Sequence, residues 1–201
     1  LYNEPSVKEN VTTAHLEDYG GFYFPTPVTL YARRSNTSPS FNELWLDHGT
    51  DPENETYAYC ILPNKTPEET EQYCANPDIE VLANNEKVQA VCDSTIGVTG
   101  IVFWEAGSFA GVTVTKPCIV MLKETEENEL IISIADPTHK LTECQVQIDA
   151  KGSFVSGDEG ITDMANESNV AFEVDFTQSG GQTFTTKYVS DYCTNVCIKS
   201  E

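Results

Sequence analysis

The sequence comprises 201 residues, with 11 basic against 32 acidic side chains, a formal charge of −21 and an ordinary apolar fraction of 39%. A chain of this length buries a good core, in one large β domain or two small ones. Its negative field disfavours nucleic acid, anionic membranes and sulfated or uronic polysaccharides, and no apolar run approaches the roughly 18–20 residues of a membrane span.

In chain order, the sequence starts without a methionine on the polar stretch Asn3-Glu4-Pro5-Ser6, as expected of a processed or trimmed product. Strand signals then dominate. Phe22-Tyr23-Phe24 and Val28-Thr29-Leu30-Tyr31 are β-branched and aromatic, broken by Pro25 and Pro27, and Leu44-Trp45-Leu46 leads into the turn Asp47-His48-Gly49. A strand over Tyr57 to Leu62 stops at Pro63. Thr66-Pro67-Glu68-Glu69 offers an N-cap hydroxyl, a proline at the first helical position and a glutamate at the capping-box position, so a short helix is expected near 66–76. It should end at Asn76-Pro77, because a residue before proline avoids helical dihedrals. Short strands follow at Ile79 to Leu82 and Val88 to Val91, then a longer apolar run from Val98 to Trp104.

After Gly111 the chain reads as a meander: Cys118 to Leu122, Leu130 to Ala135, Gln145 to Ala150, Val170 to Phe176 and Thr183 to Val189. Phe172-Glu173-Val174-Asp175-Phe176 and Val146-Gln147-Ile148-Asp149 alternate strictly, so one face packs and the other is wet. The expected class is all-β, with a boundary near 112–116: residues 1–113 end a large sheet assembly and 114–201 form a small sandwich.

Seven cysteines, at 60, 74, 92, 118, 144, 193 and 197, lack zinc-site spacing. Five glycosylation sequons begin at Asn10, Asn36, Asn54, Asn64 and Asn166. Cysteines and sequons together point to a secreted, extracellular protein. The pairings expected are Cys60–Cys92, Cys118–Cys144 and Cys193–Cys197, with one thiol left free or paired elsewhere.

Catalytic signals are weak. The three histidines, His15, His48 and His139, are far apart in sequence, and Gly107-Ser108-Phe109-Ala110-Gly111 puts its serine one position too early for a nucleophile elbow. His48 reads either as a base held by Asp47 or, preferred, as a structural loop histidine beside a positive-φ Gly49. Glu124, Glu126, Glu127 and Glu129 read as a solvated hairpin tip, and Asp158-Glu159-Gly160 as a turn. No cofactor is implied, and a structural calcium ion held by loop carboxylates is the one metal reading left open. Trp45, Trp104, Tyr57 and Tyr59 lie inside strand patterns and are expected in the core rather than on a sugar-binding platform.

The segment Leu44 to Val91 carries a more specific signal: Asp47-His48-Gly49, Pro52, Tyr57-Ala58-Tyr59, Leu62-Pro63-Asn64, Thr66 with its acidic helix, Ile79-Glu80-Val81 and Gln89-Ala90-Val91. With Gly20-Gly21-Phe22-Tyr23-Phe24 upstream and Asp136-Pro137-Thr138 downstream, it closely resembles the family-eight polysaccharide lyases, the hyaluronate, chondroitin AC and xanthan lyase group. The resemblance implies that residues 1–113 are the C-terminal part of a central β super-sandwich and 114–201 a small C-terminal β domain. It further implies a missing N-terminal α/α toroid that cleaves uronic-acid polysaccharides by β-elimination and holds the family's catalytic residues upstream of Leu1. No catalytic residue is therefore carried onto this chain. The expected partner is that missing domain or chain, and polysaccharide is met through the whole enzyme. The rival expectations are a stand-alone extracellular module for carbohydrate binding or structure, and a hydrolase built on His48.

Overall fold

The computed structural model describes residues 4–35, 37–125, 128–177 and 179–190. They form two compact units that divide between Pro77 and Asp78.

The first unit is a four-stranded antiparallel sheet with one helix. Strand β1 (Ser6–Leu16) pairs with β2 (Gly20–Arg34), while β3 (Asn42–Leu46) and β4 (Cys60–Pro63) also pair with β2. Register fixes the layout. β1 meets β2 at both ends, through Leu16 with Gly20 and Ser6 with Ala32. β4 (Tyr23 with Cys60) and β3 (Leu30 with Leu46) therefore share the other edge of β2, and residues 24–29 lie in the notch between them. The two prolines expected to break this strand do not. Pro25 and Pro27 fall where the β1–β2 register jumps, a bulged stretch in which a missing N–H costs no ladder bond. Strand β1 is absent from the sequence expectations because SVKENVTTAHL is polar and mostly exposed.

Helix α1 (Pro67–Ala75) lies close to its expected bounds. Thr66 accepts from the Glu69 amide, and the Glu69 carboxylate accepts from the Thr66 amide, which satisfies two orphan donors of the first turn. The helix packs on the sheet at Gly21, where the Thr70 side chain occupies the space a Cβ would need. Thr66→Ala is expected to cost about 1 kcal/mol, read as a shift in the urea midpoint at unchanged slope.

The second unit contains β5 (Ile79–Asn84), β6 (Val88–Asp93), β7 (Val98–Phe103), β8 (Gly107–Phe109), β9 (Val112–Val114), β10 (Cys118–Glu124), β11 (Glu129–Ala135), β12 (Glu143–Ile148), β13 (Gly152–Gly157), β14 (Ile161–Asp163), β15 (Val170–Asp175) and β16 (Phe184–Ser190). A seven-stranded sheet runs β13-β16-β11-β10-β7-β6-β5, and a five-stranded sheet runs β14-β15-β12-β9-β8. Alternation makes the sandwich. Val120, Leu122, Leu130, Ile132 and Ile134 of the first sheet share one core with Val146, Ile148, Val170, Phe172 and Val174 of the second. Tyr188 is buried among them, its hydroxyl donating to Asp163 Oδ1 at 2.9 Å and to the Ala171 carbonyl at 3.2 Å. Burial, then Asp163, push its phenol well above the ordinary value.

The all-β class with one short helix is what the sequence led us to expect, but the boundary near 112–116 is not where the units divide. β7 and β10 pair from Cys118–Phe103 to Lys123–Val98, so a cut there would split the seven-stranded sheet. Residues 78–113 supply three strands of that sheet, β5, β6 and β7, and their ladder bonds outweigh the change in sequence rhythm that suggested the cut.

The turn from β11 to β12 carries the chain from one sheet to the other. Asp136, 2% exposed, organises it: its carboxylate accepts from the Thr138 amide and hydroxyl and from the Lys140 and Leu141 amides, at 2.7–2.8 Å. Burial alone would raise its pKa. The bonds from Leu141, Thr138 and Lys140 outweigh burial and lower it from 3.8 to about 2.

Candidate functional site

The first unit carries an open groove of about 310 Å³. It lies over the notch in β2. Phe22, Phe24 and Leu30 form the floor from alternate positions of one strand, while Leu44 and Leu46 of β3 and Ile61 of β4 form the sides. The loop between β3 and β4 adds His48, Tyr57 and Tyr59, whose rings follow one another at centroid separations of 6.1 and 6.3 Å. The opposite face of the same sheet carries α1, so the two faces differ in kind: one is covered by a helix and the other is open and apolar.

This placement corrects the expectation that the aromatic residues are core. Tyr57 is 62% exposed, Tyr59 50% and Trp104 57%. Periodic apolar spelling identified strand-like segments but not whether anything covers them, and in place of the expected Tyr57–Leu62 the strand is Cys60–Pro63. Trp45 is half-buried, stacked on Tyr31 at 5.4 Å with the Arg33 guanidinium 5.2 Å above its ring.

The groove has little acid–base equipment. Asp47 does not hold His48: its carboxylate accepts from the Gly49 amide at 2.9 Å and closes a local turn, with Gly49 at φ +76°. His48 instead sits 3.4 Å from Glu55, an exposed carboxylate that sequence reading did not single out. The other histidines have separate partners. His15 donates to the Lys65 carbonyl, and the His139 ring fills the space beside Gly181. Ser108 shares a hydrogen bond with Thr113 across its hairpin. Arg33 is paired with Glu43, so it is not a spare cation for a uronate carboxylate.

The remaining sequence candidates fall as follows. Asp158 accepts from the Thr185 amide and closes a turn with Gly160 at φ +97°. Among the described residues there is no group of three or more His, Cys, Asp or Glu side chains that could hold a metal. Glu129 is not simply solvated, because it pairs with Lys187 at 2.9 Å; Glu126 and Glu127 lie outside the described residues. Asn10, Asn54, Asn64 and Asn166 are all exposed, the first three at positive φ, and Asn36 lies outside the described residues.

The cysteines differ most from expectation. Cys60, Cys74, Cys118 and Cys144 are free thiols, so the pairing Cys60–Cys92 is not made. Cys60 lies on β4 beside Cys74 of α1 in the first unit, whereas Cys92 belongs to a ladder of the second. Cys118 and Cys144 are adjacent but unbridged: both are buried, on β10 and β12 of opposite sheets, with the Cys118 thiol donating to Cys144. That bond stabilises the Cys144 thiolate and lowers its pKa, while raising that of Cys118. Cys193 and Cys197 lie outside the described residues.

Comparison with known proteins places this geometry. Residues 80–160 match the family model for the polysaccharide lyase family 8 C-terminal beta-sandwich domain, and they fall wholly within the second unit. The chain is 30% identical over 185 residues to xanthan lyase of Bacillus sp. strain GL1, covering 82% of this chain and 20% of that protein. It is 29% identical over 203 residues to hyaluronate lyase HylB of Enterococcus faecalis, covering 90% of this chain and again 20% of the relative. The solved structure of Paenibacillus xanthan lyase superposes with a TM-score of 0.84 at 29% identity, over 95% of this chain and 21% of that one. The chain thus spans about a fifth of the length of these relatives. It belongs to polysaccharide lyase family 8, as its C-terminal β region.

Proposed function

We propose that this chain is the non-catalytic β portion of a secreted polysaccharide lyase, supporting an N-terminal α/α-toroid domain on the length the relatives have in excess. The whole enzyme would cleave uronic-acid polysaccharides such as hyaluronan or chondroitin by β-elimination. The observation that carries this reading is the open apolar face of the first unit. Leu44 and Ile61 are exposed in line with the buried Phe24 and Leu30, a surface that soluble sheets ordinarily cover. Further β structure of a lyase chain is the occupant that fits it. The charge supports a scaffold role, since a cleft for an acidic polymer needs a positive lining and this chain carries −21.

Secretion and glycosylation are part of the proposal. The exposed sequon asparagines suit glycan attachment on that route. One observation favours a second reading, a stand-alone carbohydrate-binding module. Tyr57 and Tyr59 are stacked within 16° of parallel and exposed, as rings that receive sugar faces are.

Intact mass spectrometry of the native, non-reduced source material separates the two. The scaffold reading expects this sequence within, or held to, a polypeptide several-fold larger. A single species of this chain's mass plus glycans would establish the module instead.

A further inference from the structure

Helix α1 is held over one face of the first sheet by a row of contacts. Thr70 packs on Gly21, and the Tyr73 and Tyr23 rings meet edge to face at 5.7 Å. Gly21 and Tyr23 are two residues apart on β2 and so point to the same face, about 6.6 Å apart along the strand. Thr70 and Cys74 are four residues apart on α1, on one side of the helix and about 6 Å apart along it. The two spacings match. One helical turn beyond the Gly21–Thr70 contact, Cys74 therefore lies over the row that contains Tyr23. The residue paired with Tyr23 on the neighbouring strand is Cys60.

We infer that Cys60 and Cys74, free thiols in the structure, close to a disulfide on oxidation and pin helix α1 to strand β4 behind the groove. Both thiols are partly accessible, so a small oxidant reaches them in the folded chain. Burial raises both, and for Cys74 the nearness of Cys60 adds to the rise, as adjacent sulfurs require. The chemistry is thiol–disulfide exchange with a low-molecular-weight disulfide such as oxidised glutathione. One protein thiolate attacks a sulfur of the oxidant, forming a mixed disulfide and releasing one small thiol. The second protein thiolate then attacks the mixed disulfide and releases the other. The two cysteines lose two protons and two electrons, and the oxidant is reduced to two thiols.

The bond would act on the groove through β4. Cys60 faces the helix and its neighbour Ile61 lines the groove, so fixing Cys60 fixes the position of one wall. This explains a cysteine in a short helix whose packing otherwise rests on Thr70 and Tyr73.

The test is disulfide mapping of the full chain refolded in a mixture of oxidised and reduced glutathione. Remaining thiols are blocked with N-ethylmaleimide in denaturant, and the chain is cut with trypsin without reduction. Cleavage after Lys65 separates Cys60 from Cys74, so the bond appears as two joined peptides that part on reduction. The expected result is that this joined pair is the main form of both cysteines. In Cys74→Ser, Cys60 then takes up the maleimide and the first unit melts roughly 5–10 °C lower than in the oxidised parent. Maleimide on both Cys60 and Cys74 in the parent, or Cys60 joined to another cysteine, overturns the inference.

Discussion

Replacing Asp136 with alanine is expected to destabilise the second unit by about 3 kcal/mol, lowering its calorimetric transition by roughly 10 °C. The carboxylate is buried and is the common acceptor for four donors, three of them main-chain amides that have no other partner in the turn. Removing it strands donors in a place water reaches poorly, and it loosens the crossing from β11 to β12 on which the pairing of the two sheets depends. Asp136→Asn, which keeps a single carbonyl acceptor, should fall between the parent and the alanine variant.

The same group imposes a pH dependence. Its pKa is lowered in the fold, from 3.8 to about 2. The unfolded chain therefore binds the proton more readily, and the stabilisation is fully present above about pH 4. It declines as the pH falls through that range and is lost below about 2, amounting to about 2 kcal/mol. Denaturation midpoints of the parent measured between pH 5 and 2 should drop more steeply than those of Asp136→Asn. Parallel curves would show that the carboxylate is not charged in the native turn.

The second large effect is expected at Gly21. A Cβ there would lie 2.8 Å from Thr70 Cβ and closer still to its Oγ1 and Cγ2, so even alanine forces α1 away from β2. Thr70 cannot simply rotate aside, because its hydroxyl donates to the Thr66 carbonyl at 2.8 Å and the residue is buried. Gly21→Ala should cost about 2–3 kcal/mol by overpacking. Thr70→Ala in the same chain should recover part of that loss, giving a coupling energy of about 1 kcal/mol in a double-mutant cycle. Strict additivity of the two changes would mean that the helix is seated elsewhere.

Local and periodic features of this fold are legible in the sequence. The capping box at Thr66 works within four residues, so Thr66-Pro67-Glu68-Glu69 is enough to set the start of α1. Phe172 to Asp175 and Val146 to Ile148 alternate because each faces a core on one side and solvent on the other. Features that depend on distant partners are not legible. β1 has a polar sequence and is a strand only because β2 is there to pair with it. Tyr57 and Tyr59 read as core, and they are exposed because nothing in this unit covers the face they border. The cysteines show the same limit. Cys118 and Cys144 are in plausible strands and do meet, whereas Cys60 meets Cys74 through a helix that folds back over its strand. Asp136 carried a signal only as part of the resemblance; its turn-building role needs the four donors in view.

The central claim is that this chain supplies structure, not chemistry, to a lyase. It is tested most directly by incubating the folded 201-residue chain alone with hyaluronan, chondroitin and xanthan and following the ultraviolet absorbance of the unsaturated sugar that β-elimination leaves. The expected trace is flat on all three polymers. A rise in proportion to the protein added, abolished by His48→Ala, would contradict the claim and place a complete active site in the groove.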